Sequence, residues 1–181
     1  GEASYSLYAN WNLAQVNALA KYRPNARHWS LNRAFTPGLA RTGASVWTGD
    51  IRSSWEALKK TPTDMLNWSL GGMPYGACDI GGFKAKRNYD ITKLLIRWMQ
   101  VGTFMPLMRS HSEQTQTPRF PWLFKGAEAP IRKALNLRYR LIPMIYSLAH
   151  EGHATGAPIM RPLVMEFPTD TNVADCSSQW L

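Results

Sequence analysis

Two aspartates each close a short apolar run. Asp50 ends Trp47-Thr48-Gly49-Asp50, and Asp79 lies in Cys78-Asp79-Ile80-Gly81-Gly82-Phe83. Arg33 ends a third run, and Arg109-Ser110-His111 ends a fourth. Carboxylates, guanidiniums and an imidazole interleaved with Trp47 and Phe83 suit cleavage of a glycosidic bond. That reaction needs a carboxylic acid to protonate the leaving oxygen and a second carboxylate to act at the anomeric carbon. It also needs polar groups for sugar hydroxyls and aromatic walls for the ring faces. On residue types alone, Asp50 and Asp79 would be the catalytic pair. His111 has no H-x-H or H-x-x-x-H partner, and His28, His150 and His153 fall elsewhere, so no metal or other cofactor is expected. A serine hydrolase would carry a G-x-S-x-G elbow, which is absent.

Each of these residues also has a plainer reading. Asp50 precedes Ser53-Ser54-Trp55 and is a candidate helix cap. Asp79 is placed to fix the Gly81-Gly82 turn. Arg33 and Arg109 fit structural ion pairs, and Trp47 and Phe83 fit a core. Their joint occurrence at predicted strand ends favours chemistry.

The elements that position them follow from periodicity. A helix is predicted over Ser6–Lys21, where Leu7, Trp11, Ala14, Ala18 and Tyr22 recur at helical steps, stopping before Pro24. Strands are predicted over His28–Ala34, Ala44–Thr48, Tyr75–Ile80 and Thr103–Met108. One helix covers Ser53–Lys60, and another starts at Thr61 as N-cap with Pro62 at its first position. A further helix covers Asp90–Val101, with Ile91, Leu94, Leu95, Trp98 and Met99 on one face. The longest covers Ala129–His150 and contains Pro143. Arg109–Arg119 reads as a loop, Gly152–Gly156 as a linker and Ile159–Phe167 as extended chain.

Such alternation implies a parallel α/β sheet with crossover helices, either doubly wound or part of a (β/α)8 barrel. Neither a G-x-G-x-x-G nor a G-x-x-x-x-G-K-[ST] motif occurs, which disfavours nucleotide-binding versions. In a barrel, reactive groups belong at the C-terminal strand ends.

Composition excludes several other classes. The 181 residues are 45% hydrophobic with 8 Trp, 7 Tyr and 6 Phe, too apolar for a disordered chain. No apolar run approaches the roughly eighteen residues of a membrane helix, so no membrane partner is expected. The net charge of +9 raises nucleic acid as a partner. The cations are scattered, however, the densest group being Lys84, Lys86 and Arg87, and no nucleic-acid-binding motif accompanies them. No nucleic-acid partner is therefore expected.

At Trp47-Thr48-Gly49-Asp50 with Ser53-Ser54-Trp55, the chain closely resembles glycoside hydrolase family 31, the retaining α-glucosidases, α-xylosidases and their relatives. The resemblance extends through Arg23-Pro24-Asn25-x-Arg27 with Leu31-x-Arg33, and through Gly76-Ala77-Cys78-Asp79-Ile80-Gly81-Gly82-Phe83. It continues in Arg97-Trp98-x-Gln100-x-Gly102-x-Phe104-x-Pro106-x-x-Arg109-x-His111, Arg138-Tyr139-Arg140-Leu141-Ile142-Pro143 and Pro158-Ile159-Met160-Arg161-Pro162-Leu163. It implies the second half of a (β/α)8 TIM barrel over residues 1–155 and the beginning of a C-terminal β-sandwich over 156–181. Asp50 would be the general acid/base, held in an apolar, water-poor pocket. Arg33, Asp79 and His111 would bind the sugar, with Trp47 and Phe83 lining the subsite. The resemblance thus makes Asp79 a binding residue. The family nucleophile is an Asp in a Trp-x-Asp-Met-Asn-Glu motif that is absent here, which places it upstream of this chain. The expected partners are an oligosaccharide or α-glycoside and the missing N-terminal part of the same enzyme. The expected sugar is a terminal α-linked glucose. The alternatives are an α-xylosidase and a non-catalytic carbohydrate-binding module.

Overall fold

The computed structural model describes residues 2–86 and 89–181; Arg87 of the basic cluster lies outside them. Helix α1 (Glu2–Tyr22) leads to strands β1 (Ser30–Asn32) and β2 (Ala44–Trp47), then helix α2 (Trp55–Leu70). Strands β3 (Gly76–Ala77) and β4 (Asp79–Ile80) precede helix α3 (Thr92–Gly102), strand β5 (Arg109–Ser110), helix α4 (Glu128–Thr155) and the short α5 (Leu163–Glu166). All strand pairs are parallel. β1, β2 and β3 form one sheet in chain order, and β4 pairs with β5 in register Asp79 to Arg109 and Ile80 to Ser110.

The predicted strand over Tyr75–Ile80 is thus two strands that pair on opposite sides. Residues 76–77 bond β2 and residues 79–80 bond β5, with Cys78 between them. The extended segment is shared between two neighbours, as a central strand of a parallel array is.

The strand predicted over Thr103–Met108 is a turn instead, and β5 starts at Arg109. Its carbonyls have another partner. Arg138 of α4 donates to the backbone oxygens of Thr103 (3.1 Å), Met105 and Pro106 (3.0 Å). With those acceptors taken by a side chain, the segment meets the sheet through a long bond, from the Leu107 amide to the Gly76 carbonyl at 3.4 Å, rather than through a ladder.

The two helices predicted around Thr61 are one. Ser54, not Asp50 or Thr61, caps α2, its hydroxyl accepting from the Ala57 amide at 3.1 Å. Thr61 is buried and donates to the Ala57 carbonyl at 2.8 Å. Pro62 lies inside the helix, which is held by buried Leu58, Met65 and Leu66. Packing therefore outweighs the local stop signal.

Helix α3 buries the predicted face: Ile91 just before it, then Leu94, Leu95, Trp98 and Met99. Asp90 accepts from the Thr92 amide (2.9 Å) and its hydroxyl, as a capping side chain does. Trp98 has no exposed surface and donates its indole N–H to the Cys78 sulfur at 3.3 Å. Burial pushes the Cys78 thiol up to about 12, which leaves it a neutral packing group.

Helix α4 runs through the predicted linker to Thr155 and ends on Gly156, whose φ of 82° suits a left-handed cap. Gly152 within it is required by close approach: a Cβ there would stand 2.8 Å from the Ala157 carbonyl oxygen. Residues 159–167 are not continuously extended, since α5 occupies 163–166. Beyond it a single antiparallel bridge joins Pro162 to Trp180, flanked by mutual amide–carbonyl bonds between Arg161 and Leu181 at 2.9 and 3.0 Å.

The first helix departs most from expectation. Leu7 and Trp11 of its apolar stripe are 59% and 66% exposed. Among the described side chains of this helix the buried one is Asn12, whose amide donates to the Thr42 hydroxyl and whose oxygen accepts from Ser30 at 3.0 Å. Helix α4 likewise exposes Tyr139, Ile142, Met144 and Tyr146.

Replacing Ser54 by Ala removes the side-chain cap seen on α2. The expected cost is about 1 kcal/mol, read as a lower urea midpoint with an unchanged slope. An unchanged midpoint would place the start of α2 elsewhere.

Candidate active site

Because every strand pair is parallel, the C-terminal ends of β1, β2, β4 and β5 open onto one edge. Arg33 follows β1, Thr48-Gly49-Asp50 follows β2, Gly81-Gly82-Phe83 follows β4 and His111 follows β5. Asp79 and Arg109 are themselves the first residues of β4 and β5. The six residues singled out from the sequence therefore come together, with Arg109 as a seventh.

Their contacts form a chain. Arg33 Nη2 donates to Asp50 Oδ1 at 2.5 Å, across a pair whose side chains are 61% and 40% exposed. The Arg33 and Arg109 guanidinium carbons each stand 5.6 Å from the centroid of the Trp47 ring, within cation–π range. Arg109 Nη2 donates to Asp79 Oδ1 at 2.5 Å. Phe83 and His111 lie together with ring centroids 5.4 Å apart. Gly49 sits beside the first link. Its φ of 70° turns the chain after β2, and the Arg33 guanidinium passes 3.7 Å from where its Cβ would be.

The two aspartates sit in opposite environments. Asp79 has no exposed surface, and its Oδ2 has no hydrogen-bond partner among the described residues. Burial pushes its carboxyl above the ordinary value of 3.8. The Arg109 charge and hydrogen bond pull against that shift, as does His111, while the Asp50 charge adds to it. Asp50 lies on the open side of the array. The water-poor pocket expected around it is not formed by these residues, since Arg33 is its polar contact and the side chain reaches solvent. Asp50 does not cap α2, so that plainer reading of it falls away.

Two basic residues were less legible. Arg109 reads equally well as an ion-pair residue, and the structure shows it paired to Asp79; its spacing two residues before His111 was the available signal. Arg119 gave no signal in its polar loop, yet it is 3% exposed. A cleft of about 1190 Å³ opens at the opposite strand ends between Trp29, Gly43, Tyr75 and Leu107 and helix α4, away from this chemistry.

Parallel βα units with a charged cluster toward their C-terminal ends fit a (β/α)8 barrel, which carries its reactive groups on that face. Residues 3–148 match the family model described as the glycosyl hydrolases family 31 TIM-barrel domain, and the chain belongs to that family. It is 39% identical over 169 residues to alpha-glucosidase 2 of Bacillus thermoamyloliquefaciens, covering 93% of this chain and 21% of that protein. It is 38% identical over 160 residues to the alpha-xylosidase of Saccharolobus solfataricus, covering 87% of this chain and 22% of that protein. A solved family 31 dextranase from Flavobacterium johnsoniae, complexed with glucose, superposes with a TM-score of 0.86 at 34% identity, over 94% of this chain and 22% of that one. The chain thus spans about a fifth of the length of these relatives.

The raised value at Asp79 sets a sign. A folded-state value above the unfolded one means the folded chain holds the extra proton between the two. Stability is then lost as pH rises from 3.8 through the folded value. A carboxyl-carbon NMR titration should give Asp79 a midpoint above 3.8, and Arg109→Gln should raise it further by removing the charge that favours the carboxylate. A midpoint that falls on that substitution would contradict the assignment of causes.

Proposed function

We propose that this chain carries the acid/base part of a retaining α-glycosidase acting on terminal α-linked glucose. Residues 1–155 would be the last four strands of its (β/α)8 barrel and 156–181 the beginning of the following β-sandwich. The observation that supports this best is the linked cluster Asp50–Arg33–Trp47–Arg109–Asp79 on the C-terminal strand edge.

In this reading Asp50 protonates the glycosidic oxygen while a carboxylate outside these residues attacks the anomeric carbon. Asp50 then takes a proton from the water that breaks the glycosyl-enzyme. Its exposed position favours the part, because the acid must reach a bridging oxygen and then a water. Asp79 suits attack poorly. One of its oxygens is committed to Arg109 and the residue has no exposed surface, so its part in binding the sugar would run through the Arg109 guanidinium it holds. Arg33 and His111 would hold further hydroxyls, through bonds that tighten as positive charge develops on the ring. Trp47 and Phe83 supply the apolar walls.

An α-xylosidase is the second reading, favoured by the 38% identity to a relative of that name. Glucose and xylose differ at C6, so relative turnover of aryl α-glucosides and α-xylosides by the full-length protein separates the two.

In the full-length protein, Asp50→Ala should lower kcat/KM for a phenyl α-glycoside by about 100-fold or more, the usual worth of a general acid. Activity equal to the parent's would remove Asp50 from the mechanism. The 181 residues alone should show no turnover, since Asp79 is not placed to replace the nucleophile. Asp50-dependent hydrolysis by the isolated chain would make Asp79 or another carboxylate of this chain the nucleophile.

A further inference from the structure

We propose that Arg119 is a positioning residue for this site, fixing the loop that carries Asp50 against the loop that carries Phe83. The inference rests on the reading of Asp50 as acid/base.

The Arg119 guanidinium binds two loops at once and is anchored in a third. Its Nε and Nη2 donate to the Gly82 carbonyl at 3.3 and 3.1 Å, and Nη2 also donates to the Ser53 hydroxyl at 3.2 Å. Nη1 donates to the Thr117 carbonyl at 2.6 Å, and the Arg119 carbonyl accepts from Ser110, next to His111, at 3.0 Å. Among the described residues no carboxylate pairs with it, and burial pulls its pKa down from the ordinary value. A buried cation met only by neutral oxygens is costly to keep. Its geometry is what such a residue contributes: the rigid plane holds Nε and Nη2 on Gly82 and Ser53 while Nη1 reaches Thr117, a fixed span that a single ammonium nitrogen does not cover.

The loops it joins meet backbone to backbone. Gly82 has a φ of 77°, and a Cβ there would stand 2.5 Å from Ser53 Cα. A Cβ on Gly81 would stand 3.0 Å from Arg119 Cδ, so the arginine stem also packs on this turn. The Phe83 amide donates to Ile51 at 2.8 Å, the Ser53 amide donates to Lys84 at 2.8 Å, and the Glu113 amide donates to Phe83 at 3.1 Å. Ile51 follows Asp50 directly, and Phe83 is the ring that meets His111. Any shift at Gly82 or Ser53 therefore moves the acid and the subsite wall relative to each other. None of the hydrogen bonds of Arg119 goes to a residue assigned to the sugar.

The test is the leaving-group dependence of kcat/KM in the full-length protein, using aryl α-glucosides from dinitrophenyl to phenyl. Good leaving groups depart unprotonated and poor ones need the acid. Arg119→Met should lose about 100-fold on the phenyl glucoside and little on the dinitrophenyl one. Arg138→Met removes a comparable guanidinium from carbonyls at the far strand ends and should lower every substrate equally, in step with its folded fraction. Asp50→Ala, run alongside, should show the steep dependence. If it does and Arg119→Met is flat, the positioning role is wrong. If Asp50→Ala is itself flat, the acid/base reading fails and this inference with it. Should Arg119→Met not fold, Arg119→Lys keeps the stem and the charge without the fork, and carries the same test.

Discussion

A carboxylate with no exposed surface cannot remain charged without a cation in contact, and the Asp79–Arg109 pair meets that constraint. The two residues are cross-strand partners in β4 and β5, so the pair is also a registration mark between two strands of only two residues each. Strands this short offer few ladder bonds, and side chains supply the rest of the alignment. Arg138 on the turn before β5 and Arg119 after it bracket the strand from both sides.

The same guanidinium that neutralises Asp79 stands over Trp47, and so does the guanidinium paired to Asp50. One indole thereby connects two ion pairs of different character, one buried and one facing water. Desolvation separates them: two chemically identical side chains are held in opposite environments. Environments that differ in this way are how one fold can set two carboxylates to different protonation behaviour.

Much of this was legible in the sequence. The reactive residues follow apolar runs, and a polar group directly after a parallel strand falls on the edge where such folds place chemistry. The face of α3 was legible because period and burial agree at Leu94, Leu95 and Trp98. Other features are set by partners distant in the chain. Alternation in Tyr75–Ile80 does not say which neighbour each residue bonds, so one expected strand proved to be two. Thr103–Met108 looks like a strand until Arg138 takes its carbonyls. Pro62 reads as a helix start unless Met65 and Leu66 are known to be buried beyond it. The stripe on α1 has the right period, but the surface these residues provide engages Asn12 instead. Arg119 sits in a loop without periodicity, and its partners lie 37 and 66 positions away.

The split segment around Cys78 joins the hydrophobic core to the chemistry. Side chains alternate along an extended chain, so Cys78 and Ile80 project to one side and Ala77 and Asp79 to the other. The first side is gripped by Trp98 on the Cys78 sulfur and by Gly102, where a Cβ would stand 2.5 Å from the Ile80 Cδ1 methyl. A slip of one residue would exchange a carboxylate for an isoleucine at the mouth of the array and bury the charge among helices. The apolar layer therefore acts as the site's ruler. Tolerance to error in charge placement is set by methyl packing on the opposite face.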